Sequence, residues 1–180
     1  MDRQSMHTRG LWSRTAAVLL AAFFSGAATC GSGSSPTAPV DDLGQFTATV
    51  EGAVGNIQLS GVAEAIGTAT GTPAWALNMT ASDGSGNISF TEEGMPRPGT
   101  GTYVVDSALE HGGNAPGSRF TAVVLFPPVS GFGSLSGTLE ITSSSATRVS
   151  GTFSFTAADP EDESRTITVT GSFNATNQDV

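Results

Sequence analysis

The chain has 180 residues, of which 16 are acidic and 7 basic, giving a formal net charge of −9 at neutral pH. After residue 14 it contains four arginines and no lysine. Such an acidic surface repels phosphate backbones, which argues against nucleic acid as a partner. The single cysteine, Cys30, excludes an intramolecular disulfide and any metal site built from several cysteines.

The first 29 residues have the order of a secretory signal peptide. Residues 1–14 are polar and carry three arginines, residues 15–24 form an apolar run, and residues 25–29 are all small. The run is too short to cross a bilayer, which requires about 20 apolar residues. The sequence therefore predicts an export signal over residues 1–29, with cleavage before Cys30.

The residues around the cysteine suggest how the exported chain is held. Ala27, Ala28, Thr29 and Cys30 resemble a bacterial lipobox, and this resemblance implies that a diacylglycerol is attached to Cys30 before cleavage. The acylated cysteine would then bind the lipid bilayer. Cleavage after a nearby alanine would instead give a soluble secreted or periplasmic protein.

Residues 30–43 are predicted to be a flexible spacer behind the lipidated cysteine. Glycine and serine predominate at its start, and Pro36 and Pro39 stiffen the part that follows. Gly31 stands where some lipoproteins carry an aspartate that retains them at the inner membrane. The resemblance therefore implies an outer-membrane position in the cell envelope.

Residues 44–180 are predicted to form one all-β domain. Apolar and polar residues alternate over 46–50 and 75–80, and residues 119–126 begin with alternation and end as a continuous apolar run. Pro127 and Pro128 then end that strand. We expect eight or nine strands in an antiparallel β-sandwich, with a closed calycin-like β-barrel as the alternative.

Three segments of this domain share one pattern. Residues 137–142, 151–156 and 171–176 each begin with glycine and a hydroxyl residue, followed by alternating positions. They predict three consecutive strands of a meander, with glycine at bends or bulges.

These segments also carry a family resemblance. The chain is similar to uncharacterised bacterial lipoproteins in which a lipobox and a short linker precede one β-rich domain. The resemblance is carried by residues 46–52, 136–142, 148–157 and 169–174. It implies the fold and the anchor, but no activity and no functional residue.

Two polar segments and one aromatic residue are weak binding candidates. Trp75 could offer a sugar-stacking face, although a core position is preferred. Residues 83–87 begin like a calcium loop but lack its later ligands, and a hairpin turn is preferred. A calcium site is conceivable in the densest acidic segment, where a solvated loop is preferred, and its candidate ligands are Asp159, Glu161, Asp162 and Glu163.

Catalytic chemistry has little support in the sequence. Glu92 with Glu93, and Asp106 with Glu110, are carboxylate pairs of the kind that glycosidases use, but solvated surface positions are preferred. His111 is the only histidine after residue 30, and an exposed loop position is preferred for it. We therefore assign no catalytic residue, no metal and no cofactor.

The sequence as a whole predicts a membrane-anchored envelope lipoprotein that is not an enzyme. Its domain would act as an interaction or structural module contacting another, unknown envelope component. A ligand-binding domain for a polysaccharide or an apolar molecule is the first alternative, and a hydrolase is the second.

Overall fold

In the computed structural model, residues 43–68, 74–94, 96–111, 119–128 and 130–179 are described. They form nine strands and one short helix: β1 Gln45–Gly52, β2 Gly55–Thr68, β3 Ala74–Ala81, β4 Asn87–Glu93, β5 Gly101–Asp106, α1 Ala108–His111, β6 Arg119–Phe126, β7 Ser130–Ser144, β8 Arg148–Ala158 and β9 Thr166–Asp179. The predicted all-β domain is confirmed. The predicted signal peptide and Cys30 lie outside the described residues.

The strands follow from two-residue periodicity. In β3, Trp75, Leu77 and Met79 are buried, while the residues between them are more exposed. Successive side chains of a strand point to opposite faces, so this alternation gives each strand one inner and one outer face. The inner residues of all nine strands contribute to one continuous apolar core.

The strands form a single closed sheet in the order β1-β2-β3-β4-β6-β5-β7-β8-β9, and β9 pairs again with β1. Neighbours are antiparallel except for β5 with β6 and an additional pairing of β2 with β9. Among the described residues all nine strands belong to this one sheet, so their hydrogen bonds match the closed alternative more closely than two separate sheets. The uneven strand lengths that favoured the sandwich have another cause. Long strands such as β2 and β7 pair with one neighbour over part of their length and with a different neighbour over the rest.

β7 shows this change of partner. Its first residues pair with β6 up to Gly133, and the stretch from Gly137 onward pairs with the inserted strand β5. At the branch, the buried Ser134 hydroxyl accepts a hydrogen bond from the Ala122 N–H at 3.0 Å and donates one to the Asp106 carbonyl at 2.6 Å. The hydroxyl therefore provides hydrogen-bond partners for two backbone groups, the Ala122 N–H and the Asp106 carbonyl, at the point where β7 changes its neighbour.

Phenylalanine rings fill the interior beneath β7, β8 and β9, and each of three rings lies opposite a glycine of a neighbouring strand. The register places three such pairs across neighbouring strands: Gly137 with Phe155, Gly151 with Phe173, and Gly171 with Phe153. A Cβ on Gly171 would overlap the Phe153 ring. These glycines make room for rings, whereas bends or bulges were predicted at them. The register shifts lie elsewhere, between Ser134 and Ser136 and between Ile141 and Ser143.

The closed sheet has two ends. The far end is where β1 finishes at Gly52 and β2 begins at Gly55, and the opposite end, which we call the entry end, is where β2 finishes at Thr68. β1 begins short of the entry end, because Gln45 pairs with Val62 and β2 continues for six more residues. The pairings place four connections at the far end: residues 52–55, 81–87, 126–130 and 158–166.

Replacing Gly171 with alanine tests the glycine–phenylalanine packing. The added Cβ would meet the Phe153 ring and the Thr47 carbonyl oxygen, and overpacking of this kind costs about 1–3 kcal/mol of unfolding free energy. Gly99→Ala is the matched control, since its Cβ would lie 4.0 Å from the nearest atom, the Tyr103 hydroxyl. Urea unfolding gives both values, and equal midpoints for the two variants would contradict this packing.

Candidate functional site

Trp75 lies in the core and presents no ring face to solvent. It is 1% exposed, and its ring packs edge-on against Phe120 with centroids 5.7 Å apart. Tyr103 packs against the other side of this cluster, 5.3 Å from the Phe120 centroid, and its hydroxyl donates to the Gly99 carbonyl. The indole Nε1 of Trp75 is buried without a hydrogen-bond partner. A sugar-stacking platform at Trp75 therefore has no accessible surface.

Glu92 is not the surface residue that was predicted. It is 1% exposed, whereas Glu93 beside it is exposed. The β3–β4 register sets Glu92 opposite Trp75, so both belong to the inner face at the entry end. The period contained this signal, because Ile88 and Phe90 point inward and Glu92 is the next residue in that series.

Asp106 lies in an ion-pair cluster on the side of the sheet. Its Oδ2 is 2.7 Å from Arg119 Nη1 and 3.7 Å from His111 Nε2, and its Oδ1 accepts the Ser107 N–H. The Arg119 guanidinium, followed by the Ser107 N–H, holds the pKa of Asp106 below its usual value. Glu110 is exposed, as preferred from the sequence, and its backbone N–H donates to the Ser107 hydroxyl that caps α1.

The acidic segment folds into a self-bonded loop. Asp159 accepts hydrogen bonds from Arg165 at 2.6 Å and from the Glu161 N–H, and Asp162 accepts from the Ser164 hydroxyl and N–H. The Ser164 hydroxyl, followed by its N–H, lowers the pKa of Asp162. Glu161 and Glu163 extend into solvent. Within the described ranges, no three metal-binding side chains come together.

Residues 83–87 form the predicted turn between β3 and β4. The Ser85 N–H donates to Asp83 Oδ1 at 2.9 Å, and Gly84 adopts a positive φ of 74°. This is an Asx-type turn, in which glycine accepts the left-handed conformation without steric cost.

Beside this turn lies an apolar groove of about 570 Å³, which we call the far-end groove. It runs between the β3–β4 turn and the β6–β7 turn, and its lining residues are Thr80, Gly84, Gly86, Asn87, Leu125, Phe126, Pro127, Pro128, Ser130 and Gly131. Leu125 is 48% exposed. In the sequence, Pro127 and Pro128 predict only the end of a strand, and no single segment signals the groove.

Most arginines lie at one end of the sheet, whereas carboxylates lie at both ends, with Glu93 at the end of β4 and Asp179 at the end of β9 on the entry side. Among the described arginines, Arg97, Arg119 and Arg148 lie at the entry end, where β4, β6 and β8 end or begin. The fourth, Arg165, lies at the far end, where it is bonded to Asp159. The far end carries six carboxylates in its turns and strand ends: Glu51, Asp83, Asp159, Glu161, Asp162 and Glu163.

Comparison of the chain with protein-family models, with curated proteins and with solved structures gives no match. Within the part of the chain that the structure describes, no helix has the length and apolar character needed to cross a membrane.

Asp106→Asn should reduce the acid sensitivity of the fold. A carboxyl whose pKa is lowered by folding stabilises the protein above its unfolded pKa, about 3.9 for aspartate, and this contribution disappears as the pH falls through the lower folded value. The variant should therefore melt below the wild type at pH 7, with the difference shrinking by pH 3. Glu93→Gln controls for loss of a surface charge. A difference that does not change with pH would contradict the Arg119–Asp106 contribution.

Calcium should not stabilise the acidic loop. Asp159 and Asp162 already accept hydrogen bonds from Arg165 and Ser164, so a cation would have to displace these partners. We expect melting curves recorded in millimolar CaCl₂ and in chelator to coincide. A higher melting temperature with CaCl₂ that is lost in Asp159→Asn would show a metal site there.

Proposed function

We propose that the chain is an exported lipoprotein of the bacterial envelope, anchored through acylated Cys30, whose β domain is a non-catalytic interaction module. The observation that carries this proposal is the order of the first 30 residues, in which a basic stretch, an apolar run and small residues lead to Cys30. β1 begins at Gln45 partway along the sheet, opposite Val62 of β2. An anchor at Cys30 would therefore join the domain on the side of the sheet.

The length of the spacer fits such an anchor. Fourteen residues separate Cys30 from Gln45, and a flexible glycine- and serine-rich chain of that length spans about 20 Å on average. The domain would then stay close to the bilayer. Carboxylates lie at both ends of the sheet, and anionic head groups repel them, so attachment would depend on the acyl chains and not on surface charge.

The contacts and burial of the candidate acid–base residues support a non-catalytic role. The Arg119 guanidinium lowers the pKa of Asp106 and so favours its ionised form. An ionised carboxylate has no proton to donate, so Asp106 is a poor general acid. Glu92 is enclosed in the interior beside Trp75. The carboxylates of Asp159 and Asp162 stabilise their own loop.

The ligand-binding alternative is favoured by one observation, the far-end groove. Its apolar lining and volume of about 570 Å³ fall within the range of small-ligand sites, about 300–1,000 Å³. A polysaccharide is less suited to it than an apolar group, because Trp75 and Tyr103 belong to the core cluster and not to this groove.

Cys30→Ser tests the anchor. In a bacterial expression host, the variant should lose incorporation of a labelled fatty acid and leave the membrane fraction, because the acyl acceptor is gone. Ser34→Ala, a change in the same spacer, is the matched control and should behave as the wild type. Membrane association of Cys30→Ser equal to that of the control would refute the lipid anchor.

A further inference from the structure

We propose that the far-end groove binds a cationic peptide segment of a partner protein, with an apolar side chain of that segment in the groove and its basic residues attracted by the carboxylates of the far end. This inference rests on the proposed interaction role of the domain and names the class of partner.

The groove is built to accept an apolar side chain. Leu125 is half-exposed on one wall, and Phe126, 8% exposed, lies at the base. Pro127 and Pro128 have no N–H groups, so they add apolar surface without donors that need water. Burying such surface against a ligand is favourable by about 25 cal/mol per Å² before the costs of association.

Glycines keep the groove open. A Cβ on Gly131 would lie 3.3 Å from Leu125 Cδ2, and a Cβ on Gly86 would lie 3.3 Å from Phe126 Cδ1. A side chain at either position would crowd the apolar walls. The space that these glycines leave is therefore available to a side chain from another molecule.

Carboxylates lie at the same end of the sheet as this apolar surface. Asp83 directly precedes Gly84 of the lining. The acidic loop after β8 lies at this end as well, and its Arg165 is within 5.9 Å of the Phe132 ring centroid, which is 6.2 Å from the Phe126 ring of the lining. Arg165 is bonded to Asp159, whereas Glu161 and Glu163 of the same loop are exposed and would attract an approaching cation.

Charge separates this occupant from the others. Two far ends repel each other, so a symmetric dimer through this surface is disfavoured. Residues 31–42 of the same chain contain Asp41 and Asp42 and no basic residue, so they do not match the charge of this end. Anionic lipid is repelled as well. A segment that combines lysine or arginine with a bulky apolar residue satisfies both the groove and its surroundings.

The binding experiment uses the lipidated full-length protein in nanodiscs of zwitterionic lipid and measures fluorescence anisotropy of labelled ten-residue peptides. The probe has a Leu-Pro-Leu centre flanked by lysine and arginine. One comparison peptide replaces its basic residues with glutamate, and another replaces its leucines with serine. We expect the probe to bind at least about tenfold more tightly than either comparison peptide.

Leu125→Ser should weaken binding of the probe at least about tenfold, as truncation of a central apolar contact does. Leu135→Ser, at an exposed leucine of β7 outside the groove lining, should stay within about twofold of the wild type. Leu125 is half-exposed, so melting curves should show both variants folded. If Leu125→Ser fails to fold, the charge variants below decide.

Glu161→Gln combined with Glu163→Gln should weaken binding about threefold and flatten its dependence on salt, since screening acts on these exposed charges. Glu93→Gln combined with Glu140→Gln removes two carboxylates outside the far-end turns and should leave both quantities unchanged.

Three outcomes would overturn the proposal: equal binding of the basic and glutamate peptides, equal effects of Leu125→Ser and Leu135→Ser, or self-association of the protein that competes with the peptide. Anchoring is measured separately. Loss of peptide binding with intact lipid labelling refutes only the docking proposal, and peptide binding by a protein that is never lipidated refutes only the envelope anchor.

Discussion

The closed sheet depends on filling its interior, and the phenylalanine–glycine pairs of β7, β8 and β9 do much of this. The Phe90 ring lies 5.4 Å from both Phe153 and Phe155, and Phe153 stacks 6.4 Å from Phe173. These rings fit because Gly137, Gly151 and Gly171 on neighbouring strands lack a Cβ. Rings of this size contribute most of the apolar area that a small β domain can bury. With this packing in place, β9 can meet β1 and close the sheet.

Strand positions could be predicted from the sequence, and their pairing could not. Alternation is a local signal, so Trp75, Leu77 and Met79 identified β3 and its inner face. Closure and the insertion of β5 between β6 and β7 depend on contacts between residues far apart in the chain, such as the Ser134 hydroxyl with the Asp106 carbonyl. No local pattern encodes such contacts. Glu92 shows a different kind of error. Its place in the two-residue period of β4 indicates an inward side chain, whereas its charge favours the surface position that was predicted.

The candidate site shows why residue chemistry alone was a weak guide. Three carboxylates are candidates on chemical grounds, yet each already accepts a hydrogen bond that stabilises a turn or an ion pair. They are Asp106, Asp159 and Asp162. The far-end groove is made of glycine, leucine and proline from two turns that are about forty residues apart. Neither turn is unusual by itself. Only the antiparallel pairing of β4 with β6 brings them together and creates apolar surface that solvent can reach.

The same pairings set where charged residues and the start of the domain lie. In an antiparallel sheet, alternate connections fall at opposite ends, so the acidic turn after β8 lies at one end and the arginines at the starts of β6 and β8 lie at the other. Carboxylates are present at both ends, because Glu93 ends β4 beside those arginines. β1 is shorter than β2 and begins partway along it, with Gln45 opposite Val62 and Val62 opposite Thr80 of the groove lining. The proposed tether would therefore meet the side of the sheet two strands away from the far-end groove, and a partner in the groove would have to share this side of the domain with the spacer.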